Sequence, residues 1–321
     1  MKNLRDVTPM MKALTAAVLG ITVLAAQAAA PLAKLTTPGF ARVMVGDFEV
    51  TPLNDGTADL PMVDLLHNDK DRTQAALNKA HLGSPTTTST NAFLINTGSK
   101  LVLVDTGAGT LFGPTLGKLV DNLKASGYRP EQVDDILITH FHPDHVGGLM
   151  ADTKVAFPNA TVHADRRDAD YWLDAARMAK APKDVAGFFQ GAQVSLTPYI
   201  KAGKFKAFDR NGEVVPGISS YASYGHTAGH TSYVVESKGK KMVVVGDLIH
   251  VAAVQFDHPG VTIGFDSDPR QAAAARAAVF GKIAREGDLV AAAHLQFPGI
   301  GYIAENGKSW TWTPANYTLR P

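Results

Sequence analysis

The stretch that most constrains this chain is Thr139-His140-Phe141-His142-Pro143-Asp144-His145-Val146-Gly147-Gly148, which sets four residues of metal-ligand type within six positions directly after an apolar strand predicted at Ile136 to Thr139. His140 and His142 are two apart, so an extended backbone points both side chains the same way. Asp144 and His145 follow Pro143 and precede a short predicted helix, where a turn can aim them at the same spot from another direction. One divalent ion rarely needs four ligands so close in sequence, whereas two neighbouring ions would use them all. The bland alternative is a solvated loop that happens to be rich in histidine. Further donors stand at three later strand ends: His226 in Gly225-His226-Thr227, Asp247 after Val243-Val244-Val245-Gly246, and His294 after Ala291-Ala292-Ala293. Such strand edges are where sites in layered α/β folds collect. Taken singly, each could instead be a satisfied buried polar group.

The rest of the pattern alternates strands and helices. Val43 to Leu53 reads as a strand closed by Asn54-Asp55-Gly56, a helix is predicted from about Asp71 to Leu82, and the polar run Pro85 to Thr90 reads as a loop. Ala92 to Ile95 and Leu101 to Val104 form a hairpin around Gly98 that ends in Asp105-Thr106-Gly107. A helix from about Pro114 to Ala125, a strand near Val155 to His163, a helix near Arg166 to Ala179 and a strand near Ile218 to Tyr224 follow. A second hairpin, Tyr233 to Glu236 and Met242 to Val245, ends in Gly246-Asp247, so the halves look like distant copies of one hairpin-then-acid unit. Asp268 and Pro269 start an Ala-rich helix that Gly287 ends, the strand Leu289 to Ala293 delivers His294, and a last hairpin turns at Asn306-Gly307 with Trp310 and Trp312 on one face. No linker rich in Pro, Gly or Ser divides residues 29–321, which predicts one α/β domain with helices outside two sheets.

The first 28 residues are expected to be removed. Lys2, Arg5 and Lys12 precede an apolar run from Ala13 to Ala26, and Ala26-Gln27-Ala28 is the small-x-small pattern of a signal-peptide cleavage site. The run is short for a membrane span, which needs about 20 apolar residues. An exported, periplasmic or secreted protein is expected, with no membrane attachment after cleavage. The 31 Lys+Arg balance 30 Asp+Glu, leaving no surplus for a nucleic-acid backbone or an anionic membrane surface. Zero cysteine excludes disulfides, thiolate ligands and a Cys nucleophile.

With all seven donors in place, the chain resembles the metallo-β-lactamase superfamily, whose signature is His-x-His-x-Asp-His followed by a distant His, a distant Asp and a final His. The resemblance implies a four-layer αββα sandwich with a two-metal site in a cleft between the halves. It implies His140, His142 and His226 on one metal, Asp144, His145 and His294 on the other, and Asp247 bridging both and orienting a hydroxide between them. Five imidazoles and two carboxylates suit zinc and also admit Mn, Co or Fe. Asp105-Thr106-Gly107, Gly225-His226-Thr227-Ala228-Gly229-His230 and the span His294 to Gly301 are similar to the exported methyl parathion hydrolase and lactonase group. A homodimer is implied by that likeness alone.

Asp105, at a strand end, suits an acceptor for the far nitrogen of a ligand His; its alternative is a turn-forming Asp. His230 has either a site role or a buried place in the following strand. His67, His81, His163 and His258 fall outside the pattern. Lactamases of this fold generally fill the bridging position with Cys or Ser, so Asp247 argues against β-lactams. By resemblance Phe112, Trp172, Phe188, His250, Ile263 and Phe265 fall at pocket positions, although each could equally be core. Such a wall suits a small, uncharged, lipophilic lactone or aryl ester. His250 and Phe265 replace the smaller aliphatic residues expected in organophosphate hydrolases, which ranks phosphotriester hydrolysis second. A two-iron redox protein and a non-catalytic metal-binding scaffold are the readings from other classes.

Overall fold

The apolar runs of the chain pair into two seven-stranded sheets. In the computed structural model, which describes residue 32 and residues 37–316, the first sheet runs from edge to edge as Val43–Val45, Phe48–Leu60, Thr86–Asn96, Leu101–Val104, Asp135–Leu137, Thr161–Asp165 and Phe205–Phe208. The second runs Gly212–Val215, Ile218–Ala222, Thr231–Ser237, Lys240–Val244, Leu289–Ala291, Ile300–Asn306 and Ser309–Pro314. The predicted leader, residues 1–28, lies outside the described residues. The chain divides into a unit spanning Met1–Thr37 and one spanning Pro38–Pro321, and everything below concerns the second.

Both sheets repeat one motif. Thr86–Asn96 pairs antiparallel with Leu101–Val104, which pairs parallel with Asp135–Leu137. Thr231–Ser237 likewise pairs antiparallel with Lys240–Val244, which pairs parallel with Leu289–Ala291. Both parallel steps need a crossover, and the helices that supply it lie outside. Three apolar layers result. Leu103, Ile136, Val162, Leu196 and Tyr199 fill the space between the first sheet and its helices. Phe93, Val104, Tyr233 and Val244 meet between the sheets. Val243, Val279, Phe280 and Val290 pack the second sheet against the long helix Pro269–Glu286. This is the four-layer αββα order. That helix starts where Asp268 accepts a hydrogen bond from the Gln271 amide and stops at Gly287 in the left-handed region.

Several sequence expectations are corrected. The strand expected from Val43 to Leu53 is two, Val43–Val45 and Phe48–Leu60, paired antiparallel about Gly46 at φ +58°, and the second runs past Asn54 to Leu60 through a bulge between Asn54 and Gly56 because its partner is also long. That partner includes the Thr-rich run expected as a loop: Thr86–Asn96 is one strand, since β-branched threonines suit a half-buried sheet as well as a polar turn. The helix predicted from Arg166 is two, Arg166–Trp172 and Ala175–Lys180, each starting at an aspartate cap. The long helix Lys183–Lys201 was not predicted at all. It packs tightly behind the histidine-rich segment, where a β-carbon at Gly191 would meet the Pro143 ring at 2.9 Å.

Candidate metal centre

Every one of the seven donors lies beyond the C-terminal end of a strand or in a loop at that edge, and the two sheets bring them together. His140, His142, His226 and Asp247 form one group and Asp144, His145 and His294 a second; within each, one ligand atom per residue lies within 4.8 Å of every other. Asp247 faces both groups. Its Oδ2 is 3.2 Å from His226 Nε2 and 3.1 Å from His294 Nε2, and its Oδ1 is 3.2 Å from His145 Nε2. Asp144 Oδ2 lies 3.4 Å from both His145 Nε2 and His294 Nε2. Donors that share a tetrahedral ion at about 2.1 Å stand about 3.4 Å apart, so these edges match one coordination shell.

The backbone is bent to make this possible. Gly246 adopts φ +53°, and a β-carbon there would come within 2.7 Å of His230 Nε2. His230 in turn accepts the Asp247 amide on Nε2 at 3.0 Å while its Nδ1 donates to the Ser223 carbonyl at 3.0 Å. It thus positions the carboxylate without joining either donor group. Burial, with His226 beside it, pushes its pKa down to about 3, which keeps the accepting nitrogen free of a proton.

Four imidazoles are oriented by bonds on their far side. His145 donates from Nδ1 to Asp105 Oδ2 at 2.9 Å. His140 Nδ1 lies 3.0 Å from Thr139 Oγ1, which donates to the same Asp105 oxygen at 2.8 Å. Asp105 therefore governs two histidines, one directly and one through a hydroxyl, and does so from φ +60°, a conformation few non-glycine residues adopt. His226 donates from Nδ1 to Asp266 at 2.8 Å and His294 to the Ser89 carbonyl at 2.9 Å. All four turn Nε2 inward. His142 instead presents Nδ1, 3.1 Å from His226 Nε2, with its ring against Trp172 and Phe188.

This donor set fits divalent cations. The inward Nε2 atoms of His140 and His145 and Oδ1 of Asp247 are buried without a hydrogen-bond partner, which costs about 1–3 kcal/mol each unless something binds there. Burial and neighbouring imidazoles hold His140 and His142 well below the usual histidine range, leaving lone pairs free. At His145 burial acts the same way, but the carboxylates of Asp247, Asp144 and Asp105 outweigh it and draw a proton onto the ring. The second group thus calls for positive charge, and in the first His140 and His142 offer neutral nitrogens while, against burial, the carboxylates of Asp247 and Asp266 push His226 up to about 9.

A cavity of about 410 Å³ opens on the donors, lined by Phe112, Phe188, Phe265, Leu60 and Leu116 above His142, Asp144, Asp247, His250 and His294. Phe112 stands at its mouth, 41% exposed and edge-on to Phe188 at 6.2 Å. Two expected wall residues lie elsewhere. Trp172 is buried behind His142, and Ile263 is fully buried among Met62, Leu66 and Val254, where its strand-like pairing with Leu66 turns the side chain inward. His163 lies far from the donors in sequence pattern and in space pairs with Asp135 at 2.8 Å.

Sequence inspection passed over three acids that hold the centre. Asp266, two residues before the helix cap Asp268, accepts from His226 Nδ1 at 2.8 Å and from the Ile263 amide at 3.0 Å. Asp168, in the first turn of the helix Arg166–Trp172, is buried and accepts from the Phe141 amide at 2.9 Å, the Thr227 hydroxyl at 2.9 Å and the Gly229 amide at 2.6 Å, tying the His140–His142 segment to the His226 loop. Asp55, expected as a turn residue, accepts from the amides of Ala108, Gly117 and Leu119 and fixes the loop that carries Phe112.

A family model described as Metallo-beta-lactamase superfamily matches residues 85–294. An N-acyl homoserine lactonase of Bacillus sp. is 27% identical over 153 residues, 47% of this chain and 52% of that one. The chain thus spans about half the length of the curated relatives it matches. Among solved structures, hydrolase AbOPH in the beta lactamase superfamily is 38% identical with a TM-score of 0.84, covering 88% of this chain and 100% of that one. AidC, a dizinc quorum-quenching lactonase in complex with a product, is 25% identical with a TM-score of 0.80, covering 87% of this chain and 98% of that one. With both sheets, the seven-donor centre and these matches in agreement, the chain belongs to the metallo-β-lactamase superfamily.

Proposed function

We propose that this protein is a two-metal hydrolase that opens lactones and cleaves aryl esters. The observation that carries the proposal is the aromatic cavity set directly on the donor cluster, whose lining, apart from the centre's own Asp and His groups and Thr90, is apolar. Such a cavity selects a neutral, flat, lipophilic acyl or aryl group by burial rather than by charge. The matched lactonases, and AidC with its product, support a lactone as the substrate class.

The residues have definite tasks. His140, His142, His226 and Asp247 would hold one divalent cation and Asp144, His145, His294 and Asp247 the other, zinc being the metal that best suits such a nitrogen and oxygen set. When bound, the two cations supply a water of lowered pKa and polarise the carbonyl oxygen under attack. Asp105, Thr139, Asp266 and the Ser89 carbonyl keep the imidazole protons on the outer nitrogens. Phe112, Phe188 and Phe265 bind the ring or chain of the substrate and exclude bulk water. Asp247 and Asp144, both at the floor of the cavity, would orient the attacking water toward the substrate. Export through the leader ending at Ala28 is part of the same proposal, and the N-terminal mass of protein recovered outside the cytoplasm tests it.

The purified protein, with and without chelator, is to be assayed on dihydrocoumarin-type lactones, homoserine lactones, aryl esters, methyl parathion and a cephalosporin. The highest kcat/KM is expected on a lactone or aryl ester, lost with chelator and restored by zinc. A highest value on methyl parathion would place the phosphotriester first instead.

A further inference from the structure

A sixth imidazole reaches the same donor set. His250 stands three residues after Asp247 and is buried. Its Nε2 is 3.2 Å from Asp247 Oδ2, matching His226 and His294 around that oxygen, and its ring stacks on His294 at 4.9 Å with the planes 15° apart. The His250–Asp247 pair is close without hydrogen-bond alignment: both ring nitrogens of His250 are buried with no partner. His140 Nε2 and His145 Nε2, two of the seven inward donors, share this condition. It is the expected state of a nitrogen aimed at an ion rather than at a neighbour.

The backbone beneath His250 is fixed by buried polar groups. Gln255 Oε1 accepts the amides of His250 at 2.7 Å and Val251 at 3.0 Å, and Gln255 Nε2 donates to the Val261 carbonyl at 3.1 Å. Arg276, fully buried, donates to the carbonyls of Leu248, Pro259 and Val261. Ligand atoms of Asp247, His250 and His294 all lie within 4.8 Å of one another.

We propose that His250 is an eighth metal-ligating side chain, forming with Asp247 and His294 a third donor group on the cavity side of the centre. This rests on the two-metal reading above. Sharing His294 with the Asp144, His145 group, His250 would offer an alternative ligand on the cavity side, and zinc, which has no geometric preference of its own, would tolerate the exchange.

The test starts from the zinc-loaded full chain and measures zinc retained against rising dipicolinate, for wild type, His250→Leu and His250→Gln. Among the described residues no hydrogen bond ends on the His250 ring, so both variants are expected to fold, with circular dichroism as the check; His250→Gln carries the test if the apolar variant does not. Wild type is expected to hold two equivalents, and both variants to release one of them at about 10-fold lower chelator concentration while the other is unchanged. In cobalt-loaded protein, one hyperfine-shifted imidazole resonance of the wild type is expected to vanish in both variants. Two equivalents held equally by all three proteins, with the same imidazole resonances, overturns the assignment and leaves the two-metal reading intact. Uptake of one equivalent or none by wild type overturns both.

Discussion

Replacing Asp105 by asparagine isolates the control that one buried carboxylate exerts over the imidazoles. Asp105 lies at φ +60°, which asparagine tolerates better than other side chains, so the backbone is kept. An amide oxygen in place of Oδ1 retains the bond from the Thr139 amide, 2.8 Å in the native protein. The amide nitrogen in place of Oδ2 meets two donors, the Thr139 hydroxyl and His145 Nδ1. The hydroxyl can rotate and accept. His145 has two choices: keep its Nδ1 proton and lose a bond to a charged acceptor, worth about 1.5–3 kcal/mol, or move the proton to Nε2 and block the atom that faces Asp247 Oδ1 at 3.2 Å. Either choice weakens the Asp144, His145, His294 group. At about 1.4 kcal/mol per factor of ten, the expected loss of affinity for one ion is about 10-fold to 100-fold. The group containing His226, which is oriented independently by Asp266, is expected to change less. Zinc retention against graded chelator reads both affinities, and the nitrogen shifts of the His145 ring read its tautomer. An unchanged release curve with His145 still protonated at Nδ1 would refute the relay described for Asp105.

Complete removal of bound divalent metal is expected to abolish hydrolysis and to lower unfolding stability by about 4 kcal/mol for each ion present at a thousand times its Kd; a calorimetric melt before and after chelation checks it. Phe265→Leu truncates a ring set 6.5 Å from Phe188 and 6.4 Å from His250. It is expected to lower kcat/KM for a planar aryl lactone several-fold, within about 1–3 kcal/mol of lost apolar contact, and to raise the ratio of methyl parathion to lactone turnover. Asp168 is pushed up to about 6 by burial, from 3.8. A folded pKa above the unfolded one means that the stability from its proton is present below about pH 4 and lost as pH rises through about 6, a change of about 3 kcal/mol. Asp168→Asn, which never ionises, should therefore be least tolerated near pH 4 and best tolerated near pH 7 in urea unfolding of the chelated protein; a pH-independent difference argues against the ionisation described. Arg276→Met removes the donors to three carbonyls, two of them buried, and is expected to cost about 3 kcal/mol, read in the same assay.

What could be read from the chain beforehand follows a physical division. The seven donors were legible because each sits beside a strong local signal, an apolar run that ends in His or Asp, and because metal coordination restricts residue type. The hairpins at Gly98 and Lys238-Gly239 and the capped helix from Asp268 were legible through turn and cap chemistry. The helix Lys183–Lys201 carries Gly187, Gly191 and Pro198, which obscure helical propensity until the packing against Pro143 overrides it. The inner wall of the cavity was only partly legible, since Trp172 and Phe188 differ in whether they face the cavity and not in residue type. Asp55, Asp168 and Asp266 were invisible because a carboxylate whose partner is a distant amide, as at Asp55 and Asp168, or a distant imidazole, as at Asp266, has the same local sequence as one that caps a helix or a turn.

The centre is a property of the contact between the sheets more than of either half. One segment of the first half supplies His140, His142, Asp144 and His145, while His226, Asp247 and His294 come from three separate places in the second. Polar ties cross between them at every level: Asp168 to Thr227 and Gly229, the Thr231 amide to the Thr139 carbonyl at 2.9 Å, Tyr233 to the Ile138 carbonyl at 2.7 Å, and Asn91 to the Leu295 carbonyl at 2.8 Å. Neither half could bind two ions alone, because the group around His140 and the group around His145 each draw on both. Cations held there would bind the folded arrangement and not the separated halves, so their affinity adds to the cohesion of the sheets. The same coupling explains why Asp105, Asp168 and Asp266 lie behind the ligands rather than at the surface: each fixes a donor on one sheet relative to a loop or strand that the other donors need in place.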